Sequence, residues 1–110
     1  MTENNIILEG SKATLKLEGD LVASIVQGVK TDMKQLVQQG VTELIVDLSN
    51  TNMIDSVGIG CLVAAHNSLR QVNGALVVTQ VSAEIYELAH SMRLDRHFTV
   101  QGRKTEGSVG

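Results

Sequence analysis

ELIVDLSNTNMIDSVGIGCLVAAHNSLR, residues 43–70, decides the fold. Glu43 to Leu48 is a nearly continuous apolar run, the pattern expected of a strand buried on both faces. Ser49 to Asn52 is polar and reads as a loop. From Ser56 to Val72 the spacing predicts a helix, with Ile59, Leu62, Val63, Leu69 and Val72 turned inward and Asn73-Gly74 closing it. A strand, a loop and an amphipathic helix in succession are half of a strand–helix–strand unit.

The flanking sequence supplies the rest. Upstream, Val22, Ile25, Val26, Val29, Met33, Leu36 and Val37 fall at offsets 0, 3, 4, 7, 11, 14 and 15. That is one apolar stripe on a helix, with Asp20 as its expected N-cap and an end near Gly40. Before it, Ala13, Leu15 and Leu17 alternate with Thr14, Lys16 and Glu18, the period of a half-buried strand. Asn5 to Glu9 is a further β-leaning run, joined to that strand through a tight turn at Gly10-Ser11.

Downstream, Ala75 to Thr79 predicts another buried strand, and Ser82 is the expected cap of a third helix carrying Ile85, Leu88, Ala89 and Met92. Leu94 is expected to pack as the chain leaves that helix, and His97 to Val100 to form a last edge strand. The order is β-β-α-β-α-β-α-β, an α/β domain with a small, mostly parallel sheet flanked by helices. Residues 1–100 form the domain in this reading, and 101–110 a polar, frayed tail.

Composition narrows the function. At 110 residues the chain is one domain with a modest core. Tyr86 and Phe98 are its only aromatic residues, so a base-stacking platform has little to be built from. Net charge is −3 with no cluster of Lys or Arg, which argues against nucleic-acid or anionic-membrane partners. The apolar run from Ile59 to Ala65 is far too short to span a bilayer. The amino terminus leads into no signal-type stretch, so a cytoplasmic location is expected. A single cysteine, Cys61, offers neither a disulfide nor a cysteine-rich metal site and reads as a small core residue.

Asp55-Ser56, at the start of the second helix, is the chemically suggestive pair. Nucleophilic catalysis would need a base beside Ser56. His66 lies ten residues along the same helix, roughly 15 Å away at ~1.5 Å per residue. No motif points His90 or His97 at the site, and the glycine pattern of a nucleophile elbow is missing. Gly58-Ile59-Gly60 begins like a dinucleotide fingerprint, but Val63 occupies the third glycine's place. The histidines lack metal-ligand spacing, so neither metal nor cofactor is expected. Two compatible roles stay open for Ser56: a plain helix cap, or an exposed hydroxyl on which a phosphate would meet the positive end of a helix.

Asp47-Leu48-Ser49 followed by Ile54-Asp55-Ser56-x-Gly58-Ile59-Gly60 resembles the signature of STAS domains, specifically the bacterial anti-sigma factor antagonist type. The resemblance extends over about residues 5–100. It implies a non-enzymatic partner-switching regulator in which Ser56 is phosphorylated by an anti-sigma factor of the histidine-kinase-like ATPase type. A metal-dependent serine phosphatase would remove the phosphate, and the dephosphorylated form would bind the kinase and free its client. The family's Gly-Glu-Leu-Asp appears here as Gly19-Asp20-Leu21-Val22, leaving Asp20 as the acid of that turn. The expected partner surface comprises Asp20, Met53, Ile54, Asp55, Val57 and Gly58 around Ser56. The alternative is a constitutive STAS subunit of a membrane transport or signalling complex, with Ser56 only a cap. A small-ligand sensor at the same strand ends is a third possibility.

Overall fold

The computed structural model describes residues 5–103. Strand β1 (Asn5–Glu9) turns at Gly10-Ser11 into β2 (Lys12–Lys16), and Gly10 takes the left-handed φ of +62° that this two-residue connection needs. Helix α1 (Ala23–Gln38), β3 (Glu43–Asp47), α2 (Ser56–Arg70), β4 (Ala75–Val81), α3 (Ala83–Ser91), a short 3-10 turn (Leu94–Arg96) and β5 (Thr99–Gly102) follow. The strands form one sheet in the order β1-β2-β3-β4-β5; β1 is antiparallel to β2 and the others run parallel. The expected element order and class are those observed.

Register shows which face the helices cover. Ala13, Leu44 and Leu76 lie side by side, as do Leu15, Val46 and Val78, and all six are buried. The inward residues of all three helices belong to the same apolar cluster. On the opposite face, Thr14, Ile45 and Val77 form a row that is only half-buried. Because β2 to β5 are adjacent in chain order, crossovers of one hand place every helix on the same side. The expectation that β3 would be buried on both faces is therefore corrected. Ile45 makes the run look two-sided in sequence, but its face carries no helix.

Other boundaries move for local reasons. Val72 and Met92 were expected to turn inward but are 41% and 48% exposed, because each lies just past its helix end. Leu94 is buried as expected. Ser82 does cap α3, its Oγ accepting from the Ile85 N–H at 3.2 Å. The last strand lies at Thr99–Gly102 rather than His97–Val100, which brings residues 101–103 of the expected tail into the folded domain. Positions 104–110 of that tail lie outside the described residues. Among the described residues no helix is long and apolar enough to cross a membrane.

Candidate functional site

The loop from Leu48 to Asp55 leaves the carboxyl end of β3 and is held on nearly every side. Asp47 Oδ1 accepts from the Ser49 N–H at 2.8 Å, and the Thr51 N–H donates to the Leu48 carbonyl at 3.0 Å, which turns the chain back over the strand end. Thr51, fully buried, donates its hydroxyl to the Gly19 carbonyl at 2.7 Å. Asp20 Oδ1 accepts from the N–H groups of Asn52 and Met53 at 2.9 and 3.1 Å. Leu21 then pairs with Ile54 in a short parallel bridge, closed by Leu21 N–H to Met53 O at 3.0 Å and Asp55 N–H to Leu21 O at 3.2 Å.

Asp55 ends the loop and begins two helices. Its Oδ1 accepts from the Gly58 N–H of α2 at 2.8 Å, and its Oδ2 accepts from Ala23, the first residue of α1, at 2.9 Å. These N–H groups have no acceptor inside their own helices, so one carboxylate serves both amino termini. The Gly58 N–H first, then that of Ala23, hold the Asp55 carboxyl below its ordinary value of 3.8.

Two expectations are corrected here. Asp20 is not the N-cap of α1: the cap position is Val22, without a side-chain bond, and Asp20 faces the loop instead. Ser56 is not the cap of α2 either, because Asp55 takes that place and Ser56 is the first helical residue.

The remaining expected surface residues sort by exposure. Met53 and Val57 are 57% and 47% exposed and flank the exposed Ser56. Ile54 is half-buried against the core, and Gly58 is buried beneath the Leu21–Ile54 bridge. Those two shape the loop from below rather than standing on the surface. A Cβ on Gly58 would run into the Leu21 carbonyl oxygen, with Ile54 Cγ1 at 2.9 Å. Gly60, in contrast, has open space where a Cβ would stand.

The other reactive side chains are engaged elsewhere. His66 stacks obliquely on Phe98 and His97, with ring centroids 5.7 and 6.1 Å away. Burial, then the charges of Arg70 and His97, lower its pKa. His90 Nδ1 pairs with Asp95 at 2.9 Å. Burial pushes the Cys61 thiol up to about 11, which keeps it protonated and unreactive near neutrality. Among the described residues no group of three or more His, Cys, Asp or Glu could hold a metal ion. The apolar space bordered by Leu48, Ile54 and Ile59 amounts to about 20 Å³, and a more open cleft of about 740 Å³ lies beside Val81, Tyr86, Gln101 and Arg103.

Sequence reading missed Glu18, Thr51 and Arg103. Glu18 accepts from the side-chain amides of Asn5 and Asn50, both at 2.8 Å, and Arg103 reaches the loop from beyond β5. Each bond joins groups distant in sequence, and no local motif announces them.

The family model for the STAS domain matches residues 5–109, and the chain belongs to the STAS domain family. Its fold is similar to that of a candidate anti-sigma factor antagonist from Thermotoga maritima (TM-score 0.84, 16% identity, covering 94% of this chain and 88% of the other). It is also similar to the Bacillus cell fate determinant SpoIIAA in the phosphorylated form (TM-score 0.72, 18% identity, 96% and 94% covered). A sulfate transporter family protein from Wolinella succinogenes shares the fold as well (TM-score 0.69, 15% identity, 86% and 80% covered).

Proposed function

We propose that this STAS domain is a non-enzymatic, cytoplasmic partner-switching regulator of the anti-sigma factor antagonist kind, with Ser56 as its phosphoacceptor. The unphosphorylated form binds an anti-sigma factor that is also a serine kinase of the histidine-kinase-like ATPase type. Phosphorylation of Ser56 releases that partner, and a metal-dependent serine phosphatase resets the cycle. The observation that carries this reading is the division of labour at the start of α2. Asp55 does the capping, so Ser56 stands exposed with no side-chain hydrogen bond among the described residues. Its hydroxyl is available to a kinase, and Met53 and Val57 give it an apolar rim that a partner can bury.

A phosphate there adds about −1.5 to −2 charges at the amino end of α2, where the helix dipole tolerates it. The same charge in a dry interface costs several kcal/mol. At ~1.4 kcal/mol per tenfold, release by roughly a hundredfold or more follows. The likeness to a sulfate transporter family protein supports one rival, a constitutive subunit of a membrane complex. That reading leaves the Ser56 hydroxyl without a task, since it is not the cap.

Titration calorimetry against the candidate kinase decides between them. Wild type and Ser56→Ala should bind alike, the phosphoprotein at least ~100-fold more weakly, and Ser56→Asp in between. If all four bind equally well, or the kinase leaves Ser56 unmodified, the switching reading is wrong.

A further inference from the structure

Arg103 is the last described residue, just beyond β5, and its side chain turns back across the carboxyl ends of the parallel strands. Its backbone N–H donates to the Val81 carbonyl at 3.0 Å, which fixes where the side chain starts. Nε donates to the Gln80 carbonyl at 2.9 Å. One terminal nitrogen, Nη2, donates to two carbonyls of the β3–α2 loop, Leu48 at 3.0 Å and Thr51 at 2.8 Å. A single guanidinium thus ties three backbone segments together, 55 residues apart at the widest.

The receiving side is shaped for it. Gln80 sits in the left-handed region with φ +61°, between Val78 and Val81, where the pairing of β4 with β5 shifts register. The planar fork of arginine can donate to several acceptors at fixed angles, which a lysine ammonium cannot reproduce. On its other flank the loop is held by Asp20, Thr51 Oγ1 and the Leu21–Ile54 bridge, all toward the β2–α1 connection. Toward β4, Leu48 N–H to Thr79 O at 2.9 Å holds the root of the loop, and Arg103 holds its middle.

We infer that Arg103 is a positioning residue for the Ser56 surface: it clamps the middle of the 48–55 loop to the bulge of β4 and so sets the rigidity with which Met53, Ser56 and Val57 are presented. The functional consequence rests on the proposed role of Ser56, but the clamp itself does not.

Hydrogen–deuterium exchange on the whole chain, alone in solution, tests the clamp and needs no partner. The Thr51, Asn52, Met53 and Asp55 N–H groups are all hydrogen-bonded and therefore report on the loop. Arg103→Ala should speed exchange over residues 49–55 by roughly tenfold or more relative to peptides of α1, and Arg103→Lys should fall between the variant and wild type. Unchanged loop exchange overturns the inference. So does an equal acceleration in loop and α1, which would make Arg103 a contributor to global stability only. A phosphorylated Ser56 beside an unclamped loop, or the reverse, would separate this inference from the proposed function.

Discussion

Gly58→Ala and Gly60→Ala make the same chemical change two residues apart in α2, and the structure gives them opposite signs. In a helix interior the change is worth about 0.8–1.0 kcal/mol in favour of Ala. At Gly60 nothing lies within 4 Å of the new methyl, so that gain should appear nearly whole. At Gly58 the methyl lands on the Leu21 carbonyl oxygen, with Leu21 Cγ at 3.0 Å and Ile54 Cγ1 at 2.9 Å. The carbonyl is backbone, and it is the acceptor for the Asp55 N–H, so it cannot move without opening the bridge that seats the loop. Overpacking of this kind costs ~1–3 kcal/mol, and a lost hydrogen bond about 1 more. Against the propensity gain, the net loss at Gly58 is about 2 kcal/mol, and the two variants should differ by about 3. For a domain of this size each kcal/mol moves the melting temperature by roughly 4–8 °C, so the two variants should melt on opposite sides of wild type. Urea denaturation followed by far-ultraviolet circular dichroism measures both. A Gly58→Ala protein as stable as Gly60→Ala would refute the claim that α2 is seated directly on the Leu21–Ile54 bridge.

Three further outcomes follow from the charges and caps. Ser56→Ala should leave stability within ~0.5 kcal/mol of wild type, since the hydroxyl caps nothing. Asp55→Asn should be destabilised, because an amide oxygen cannot serve both the Ala23 and Gly58 N–H groups. As the folded pKa of Asp55 is depressed, its contribution is present above the ordinary value of 3.8 and is lost as pH falls through the lower folded value. The stability gap between wild type and Asp55→Asn should therefore close in acid, and a gap independent of pH would contradict the assignment. His66 works at milder pH. Its folded pKa lies below its unfolded value of about 6.5, so stability is full above that value and falls as pH drops toward the folded one. Between about pH 7.5 and about pH 5, His66→Gln should lose less in melting temperature than wild type, and an equal loss would show that burial and the neighbouring Arg70 and His97 do not resist protonation of His66.

The fold was legible because its signals are local. The stripe from Val22 to Val37 and the alternation from Ala13 to Leu17 each follow from one element's own period. What failed to read were properties that depend on a neighbour. Ile45 is apolar whether or not a helix covers it, and only the sequential strand order leaves its face without one. Asp20 is a good N-cap by type, yet the N–H groups it meets belong to Asn52 and Met53, 32 and 33 residues away. Ser56 and Asp55 are equally good caps by residue type, and the structure gives the place to Asp55, which also reaches Ala23, 32 residues away. Gly58 and Gly60 look alike in sequence; contact with Leu21 separates them.

The bracing of this loop constrains how a modification at Ser56 can act. Three carboxylates hold five backbone N–H groups, Thr51 is anchored to Gly19, and Arg103 holds two loop carbonyls. A phosphate on Ser56 would find the N–H of Gly58 already taken by Asp55 and a second negative charge beside it. With the Gly58 cap bond already made, it would have no reason to unfold the turn, and from the exposed Ser56 it would reach solvent. If Ser56 is the phosphoacceptor proposed above, the switch would work by charge placed on a braced surface and not by rearrangement of the loop. On that proposal a partner would meet Met53 and Val57 in the same place in both states, with a neutral hydroxyl beside them in one and a phosphate in the other. On this argument Ser56→Asp, with a single charge and a shorter reach than phosphate, stays only partly released however well the loop is preserved.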